Sequence, residues 1–352
     1  MPNTYFHDAG TVTTEGSDCL YFSGQELNVQ HNRFSGCTDT ATVCEAISTN
    51  GALPSDHCLI ANNTYRGNGQ AIQVGAAITN TVSEGHLIAN NLVLGGSASN
   101  NAAVAVYNTG TGTSVEEVTV ANNIVRRTTD GNAIRIQKIS HATVMGNRVR
   151  GTLTDKTGIF GNEGAQHLYV GNAGNTVGGA TLATQGVANA LVVGNYSAGA
   201  GGLSAAPTGF GFAKSSLATE NSRIALIGNY AQSAFAGSRG IQTADTIDHL
   251  FVAANDVHHN MADGFNLQST GTPGVKRYAN WQLISTSVLA TEHFDGILLG
   301  SLTNAQLTGG TNASLWYCSD CDPATGTVAT CAGAGTGSFA ARVSGGTMCV
   351  QQ

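Results

Sequence analysis

Residues 115–136, VEEVTVANNIVRRTTDGNAIRI, carry one unit of a pattern that recurs along most of the chain. Val118 and Val120 alternate with polar neighbours, which is the period of a strand with one buried face. Asn122-Asn123 breaks the alternation and Ile124-Val125 resumes it. After Asp130-Gly131, the stretch Ala133-Ile134-Arg135-Ile136 predicts a third strand. Three short strands and three corners cannot bury an apolar face alone, so the unit needs copies of itself above and below.

The copies are present. An apolar residue, two spacers and an Asn recur at Val29/Asn32, Ile60/Asn63, Ile88/Asn91 and Val120/Asn123. They continue at Val144/Asn147, Val192/Asn195, Leu226/Asn229 and Val252/Asn255, with Tyr169/Asn172 a weaker member. Leu283/Thr286 and Leu307/Gly310 keep the register without the Asn. Successive Asn positions lie 23 to 34 residues apart, so insertions vary while the corner is kept. Flanking apolar positions (Leu27, Cys58 and Val118 before; Phe34, Tyr65 and Val125 after) complete the inward set. Asn tolerates the left-handed backbone region, and its amide can bond to the Asn of the next coil, so the corners are expected to stack as a ladder.

A second ladder is expected in the strand that closes each coil. Gly158-Ile159, Gly209-Phe210, Gly240-Ile241, Gly264-Phe265 and Gly296-Ile297 align, with Ala71-Ile72 and Ala133-Ile134 in the same register. This alternation resembles the parallel β-helix repeat family of the pectin-lyase-like superfamily over roughly residues 3–312. The resemblance implies an all-β fold, a single-stranded right-handed parallel β-helix. Residues 1–312 form the helix and 313–352 a small Cys/Gly-rich C-terminal cap. About eleven coils at ~4.8 Å would make a stack on the order of 50 Å long.

Composition agrees. With 46 Gly and 11% charged residues, the chain lacks the Glu, Lys and Leu content of a helical protein. A solenoid of this length grows by adding coils rather than domains. A net charge of −7 without a basic run argues against a nucleic-acid partner. No apolar run of about 18 residues exists to span a membrane. MPNTYFHDAG shows no signal-peptide pattern. Because Asn3-Thr4-Tyr5 matches Asn63-Thr64-Tyr65, the chain is expected to start part-way round a coil. Excision from a longer protein is the favoured account, and a second chain stacked on that end is the alternative.

Of the eight cysteines, Cys19 and Cys58 fall at inward positions and read as small buried hydrophobes. Cys37 and Cys44 flank the loop TDTATV and could close it as a disulfide. Insertions at 76–84, 96–101 and within 197–208 are expected to wall a groove, the place where the superfamily binds ligands. The segment Trp316-Tyr317-Cys318-Ser319-Asp320-Cys321, with Cys331 and Cys349 downstream, resembles a YCxDC-type tail of some bacterial and phage β-helix proteins. Two disulfides within it are expected in an exported chain, with a four-thiolate zinc site as the alternative.

Active members of the superfamily cleave polysaccharides as lyases or hydrolases. The polygalacturonase pattern is absent, Gly85-His86-Leu87 being only an echo of its Gly-His-Gly, and the calcium carboxylates and Arg base of pectate lyases find no match. One constellation stands out: Arg239, Asp263 and Asp295 each precede the Gly of the closing-strand ladder, with His258, His259, Glu292 and His293 near the same corner. Stacked carboxyls about 5 Å apart suit a retaining glycosidase, one raised as proton donor beside an ionised partner. The candidate catalytic set is therefore Asp263, Asp295, His293 and Arg239; ordinary Asp-Gly turn chemistry is the competing explanation. Tyr107, Arg135, Lys138 and His141 form a second set with the residue types of a lyase, against a solvated outer face. Tyr107, Arg135, Lys138 and His259 are the candidate substrate-binding residues.

Two functions follow as expectations. The first is an extracellular polysaccharide-binding and polysaccharide-cleaving β-helix, with no cofactor beyond a calcium ion left open. The second is a non-catalytic structural or adhesive β-helix, such as a fibre or tailspike-like module. The partner is a polysaccharide, with end-to-end stacking or a trimer left open for a phage fibre. Sparse aromatics (6%) count against a strong sugar-stacking groove.

Overall fold

The computed structural model describes residues 5–7, 20–22, 26–36, 40–46, 57–67, 69–76, 82–96, 102–108, 114–128, 131–152, 156–177, 179–198, 208–213, 221–233, 238–243 and 247–260. Beyond these it describes ten strand segments between residues 263 and 350.

Every regular element among the described residues is a strand, and the chain is an all-β parallel β-solenoid. Each coil begins with a first strand, such as Gln70–Ala76, Ala102–Asn108 or Ile159–Ala165. A bend leads into a three-residue second strand, such as Leu59–Ala61, Leu87–Ala89 or Leu191–Val193, in the same sheet. Third strands, such as Leu92–Gly96, Ile124–Thr128 and Arg148–Thr152, stack as a separate parallel sheet. Nine coils carry an Asn corner and the strands Asp263–Asn266, Val275–Tyr278 and Trp281–Thr286 continue beyond them, fewer coils among the described residues than the repeat suggested.

The inward residues of the three strands meet in one core. Val104, Ile134 and Ile159 enter it from first strands, Ile88 and Val144 from second strands, Val93 and Val125 from third strands. Each is at most 1% exposed, so burial contributes about 1.5–3 kcal/mol per side chain. The expected first-strand register holds: Ile72, Val104, Ile134, Ile159, Leu182, Phe210, Ile241 and Phe265 follow one another as Cα partners. Gly296-Ile297 lies outside the described residues.

The Asn ladder is continuous from Asn32 to Asn255, and Asn172 is a full member. Each rung is saturated. Asn123 donates from its backbone N–H and from Nδ2 to Oδ1 of Asn147 (2.9 and 3.0 Å). Its second Nδ2 hydrogen goes to the carbonyl of Ile88 (2.9 Å), and its own Oδ1 accepts from the backbone and side chain of Asn91.

The left-handed backbone is not at the ladder Asn itself. It lies one residue earlier, at His31, Asn62, Asn90, Asn122, Gly146, Gly171, Gly194, Gly228 and Ala254 (φ 53 to 62). A second left-handed bend precedes it by five residues in each coil, for example at Glu117, His141 and Gln166. The ladder Asn is needed for a different reason: the left-handed bend carries its N–H away from the carbonyl row, and the neighbour's Oδ1 replaces the missing acceptor. At the amino end the register also differs by one from the sequence match. Tyr5 pairs with Arg33, which pairs with Thr64, so Phe6 and not Tyr5 shares a row with Tyr65.

One large inward residue is matched by a glycine opposite. The Tyr169 hydroxyl sits where a Cβ on Gly161 would be, so Gly161 makes room for a Tyr at a position that is aliphatic in most other coils. Cys58 is fully buried but disulfide-bonded, not the free small hydrophobe expected; its partner lies outside the described residues, as do Cys19 and the side chain of Cys44.

The chain divides into two compact units, Met1–His293 and Phe294–Gln352. In the second, strands Leu315–Cys318, Ser338–Val343, Gly346–Val350 and Val328–Ala332 form an antiparallel arrangement. The pairing of Cys318, Cys321, Cys331 and Cys349 lies outside what is described.

Asn123→Ala strands the N–H and Nδ2 of Asn91 and the Ile88 carbonyl, and should cost about 2–4 kcal/mol in denaturant unfolding. A loss below about 0.5 kcal/mol would remove the ladder as a source of stability. Ala254 occupies a left-handed position (φ 53) filled by Gly in four other coils. Ala254→Gly should therefore raise stability by about 0.5–1 kcal/mol in the same assay; a decrease would show that the bend is not strained.

Candidate functional site

Arg239 and Asp263 are Cα partners on adjacent first strands, as the sequence reading requires. Asp295 lies outside the described residues. His259 and His293 belong to strands Asp256–Asn260 and Leu289–Phe294 of the third-strand sheet, and so are not on the strands that carry Arg239 and Asp263.

In the second set, Arg135 does point outward between buried Ile134 and Ile136. It pairs across the sheet with Ala105 and Phe160, and burial lowers its pKa from the ordinary arginine value. Tyr107 pairs with Gln137, and its hydroxyl accepts from Gln73 Nε2 at 2.8 Å. Lys138 sits at a left-handed kink with its ammonium 3.7 Å from Glu163, already facing an anion. His141 lies at the next bend, 4.0 Å from Glu116, away from the Tyr107 row. Tyr107 and Arg135 thus face outward on adjacent first strands, as expected, and Lys138 and His141 sit at the bends that follow. The insertions expected to wall a groove fall largely outside the described residues.

A different face gathers chemistry. On the outside of the third strands, two columns run along the stack. One carries Ile124, Arg148, Ala173, Tyr196, Tyr230 and Asp256; the other carries Arg126, Arg150, Asn175, Ala198 and Gln232. Alternation along each strand sends these side chains outward while Val125, Val149 and Gly174 point in. Adjacent coils lie ~4.8 Å apart, so Arg126, Arg148 and Arg150 form one cationic cluster. All three are exposed, and among the described residues none has a carboxylate partner.

Ala173 stands in its column between Arg148 and Tyr196, and its single methyl leaves a recess of about 370 Å³. Beyond the recess, the rings of Tyr196 and Tyr230 stack with centroids 5.2 Å apart and 5° between planes. Gln232 locks them: the Tyr230 hydroxyl donates to its Oε1 at 2.8 Å, and its Nε2 donates to the Tyr196 oxygen at 3.1 Å. Burial, with Asp256 and Tyr196 nearby, raises the Tyr230 pKa, so it stays a neutral donor. The result is a fixed aromatic shelf beside a cationic cluster. The sequence signal existed, as Arg one or three residues after the ladder Asn (Arg33, Arg66, Arg126, Arg148, Arg150), but only the stacking register brings it together.

Two histidines are buried inside the coils and unavailable to substrate. His86, the echo of a Gly-His-Gly motif, is 1% exposed; its Nδ1 faces the Cys58 N–H at 3.4 Å and its Nε2 faces Ser83 Oγ at 2.8 Å. His167 Nε2 is 2.9 Å from the Ile139 carbonyl, so that nitrogen carries the proton and Nδ1 accepts from the Tyr169 hydroxyl. Burial holds both imidazoles down at about 4. Among the described residues no three His, Cys, Asp or Glu side chains converge on a metal position.

No protein-family model matches the chain, and no curated protein is significantly similar to it in sequence. Solved structures that resemble it include the Streptococcus pneumoniae surface protein and adhesin PfbA, at 13% identity and a TM-score of 0.42, over 76% of this chain and 79% of that one. The periplasmic alginate epimerase AlgG follows at 12% and 0.40, over 73% and 61%. The catalytic domain of a GH87 alpha-1,3-glucanase gives 12% and 0.39, over 78% and 59%. Less than two thirds of the last two structures is spanned. At these values the likeness is one of overall chain course and reaches no residue of the candidate face.

The buried histidines make a pH prediction. Above about pH 6.5 they are neutral in both states; as pH falls from 6.5 to 4, the unfolded chain binds protons that the fold refuses. Stability is therefore lost across that window, by on the order of 3 kcal/mol per histidine, and no further below it. His167→Gln should flatten the dependence of melting temperature on pH between 4 and 6.5. An unchanged slope would show that His167 does not contribute.

Proposed function

We propose that this chain is an extracellular glycan-binding β-solenoid that takes an acidic polysaccharide along the third-strand face. The observation that carries the reading is the cluster of Arg126, Arg148 and Arg150, without a carboxylate partner among the described residues, beside the Tyr196–Tyr230 shelf. Arg guanidiniums match the planar, bidentate geometry of carboxylates and sulfates. Aromatic rings offer the apolar faces of sugars a flat surface, and here the rings are fixed before binding, which lowers the entropic cost. Asp256, next in the column after Tyr230, repels an anionic chain and so gives the site a polarity along the stack.

Binding rather than cleavage is the core of the proposal. Cleavage remains a separate reading that rests on Asp263 beside Arg239, and it predicts products as well as complexes.

The test is titration of the full chain with uronate-containing, sulfated and neutral polysaccharides, with product formation followed at 235 nm and by reducing ends. Acidic polymers should bind, more weakly as salt rises. Arg148→Ala with Arg150→Ala should lower their affinity at least about tenfold while leaving the melting temperature unchanged. Equal binding of neutral polymers, or affinity indifferent to both Arg substitutions, would overturn the reading.

A further inference from the structure

The outer face of the second strands is apolar along nearly its whole length. The middle residue of each three-residue strand points into the core and the two flanking residues lie on the other face, where Ala61, Ala89, Ala121 and Ala253 are covered (5–8% exposed) and form recesses beside larger neighbours. Across eight successive coils, from Leu59–Ala61 to residues 251–253, those outward positions are Leu, Ala, Val, Ile, Met, Phe or Thr and never charged. Asn28 and Gln30 bound the stripe at one end and Lys276 at the other. Of the large hydrophobic side chains that are exposed among the described residues, Leu87, Met145, Leu191 and Phe251 (37–40%) lie on this stripe, and Tyr196 on the candidate glycan face. A sheet face turned to solvent is usually polar, whereas Thr119 and Thr143 are the polar residues among the outward positions of these eight strands, so this stripe is not explained by the coil's own stability.

We propose that the second-strand face is the interface of a side-by-side dimer of this chain, with the two stacks parallel. Three observations select a second copy as the occupant. The stripe carries no charge from Leu59 to Ala253, so nothing on it selects a partner of opposite charge. Its side-chain rows repeat at the strand spacing of ~4.8 Å, and a second copy of the same stack presents rows of the same period. In six of the eight coils the two residues are unequal in size, as in Leu59 with Ala61, Leu87 with Ala89, Ala225 with Ile227 and Phe251 with Ala253, while Leu168 with Val170 and Leu191 with Val193 differ little. A two-fold axis running along the stacks sets each large residue of one chain over the small residue of its partner at the same level. A fully overlapped antiparallel pair would lose this match at its ends, where Leu59 would face Phe251 and Ala61 would face Ala253.

The area fits a specific contact. Eight strands, with two outward columns about 7 Å apart and their side-chain width, give on the order of 500 Å² per chain. Two copies then bury on the order of 1,000 Å², the lower limit of a stable interface. The polar bends that flank the stripe, such as Glu117, His141 and Arg223, add a rim. The proposed glycan face is a separate sheet and stays open in such a dimer.

The experiment is sedimentation equilibrium of the full chain at micromolar to tens of micromolar concentration, with and without added sodium sulfate. The wild type should sediment as a dimer, favoured by sulfate because the contact is apolar. Leu191→Glu with Phe251→Glu should give a monomer with the wild-type circular dichroism, since both side chains point outward, and with a melting temperature that no longer depends on protein concentration. Photo-crosslinking from Leu191→benzoylphenylalanine should then capture the partner at Val193. A monomeric wild type, a trimer, a dimer that survives the two Glu substitutions, or a crosslink to the far end of the stack would each overturn the proposal. Should the double substitution unfold the chain, Val193→Lys alone, at an outward position, carries the same test.

Discussion

The buried amide of the ladder asparagines is the interaction on which the rest of the solenoid depends. A stack of coils must turn the chain sharply, and a left-handed bend is the cheapest way to do so, but the bend leaves the next N–H without a carbonyl in register. In this chain the Oδ1 of the Asn one coil further on accepts that N–H, and the Nδ2 of the same Asn reaches back to a carbonyl of the coil before. Buried polar groups are costly only when unpaired, and these are fully paired. The corner is thereby fixed in position from Asn32 to Asn255.

That fixed corner allows everything else to vary. Because each Asn holds its neighbours in register, loops of different length can leave the coil without shifting the strands. The core tolerates Tyr169 at an aliphatic position because Gly161 opens space opposite it, and Tyr65 because it stacks on Phe34 at 4.8 Å and bonds Thr42 at 3.1 Å. In the same way the outside can be assembled one column at a time. Each column is a row of residues far apart in sequence and one strand spacing apart in space.

Two such columns sets give the molecule distinct surfaces. The third-strand face concentrates arginine, a small-residue recess and stacked tyrosines in a chain whose net charge is −7. A modest number of charges, gathered where none is paired with a carboxylate among the described residues, makes a stronger local field than the composition suggests. The second-strand face does the opposite, excluding charge over eight coils. The proposed partners differ accordingly, a polyanion for one face and another flat apolar surface for the other, and the two faces lie on separate sheets.

The sequence by itself determined the solenoid, its inward residues and the Asn ladder, because each rests on a local repeat in which residue type and spacing carry the physical reason. It misplaced the left-handed residue by one, because two adjacent Asn at a corner look alike until the backbone is seen. It also slipped by one at Tyr5, where a three-residue match competes with a single hydrogen-bond register. It read Gly85-His86-Leu87 only as a motif echo, whereas the fold buries His86 at an inward position. Only the tertiary structure decided which outward residues meet. Arg126 and Arg150 are 24 positions apart and Tyr196 and Tyr230 are 34, matching the uneven intervals between their ladder asparagines. No constant period in the sequence marks them as neighbours. The inter-coil hydrogen bonds do, and so the arginine cluster, the tyrosine shelf and the apolar stripe became visible only once the coils were stacked.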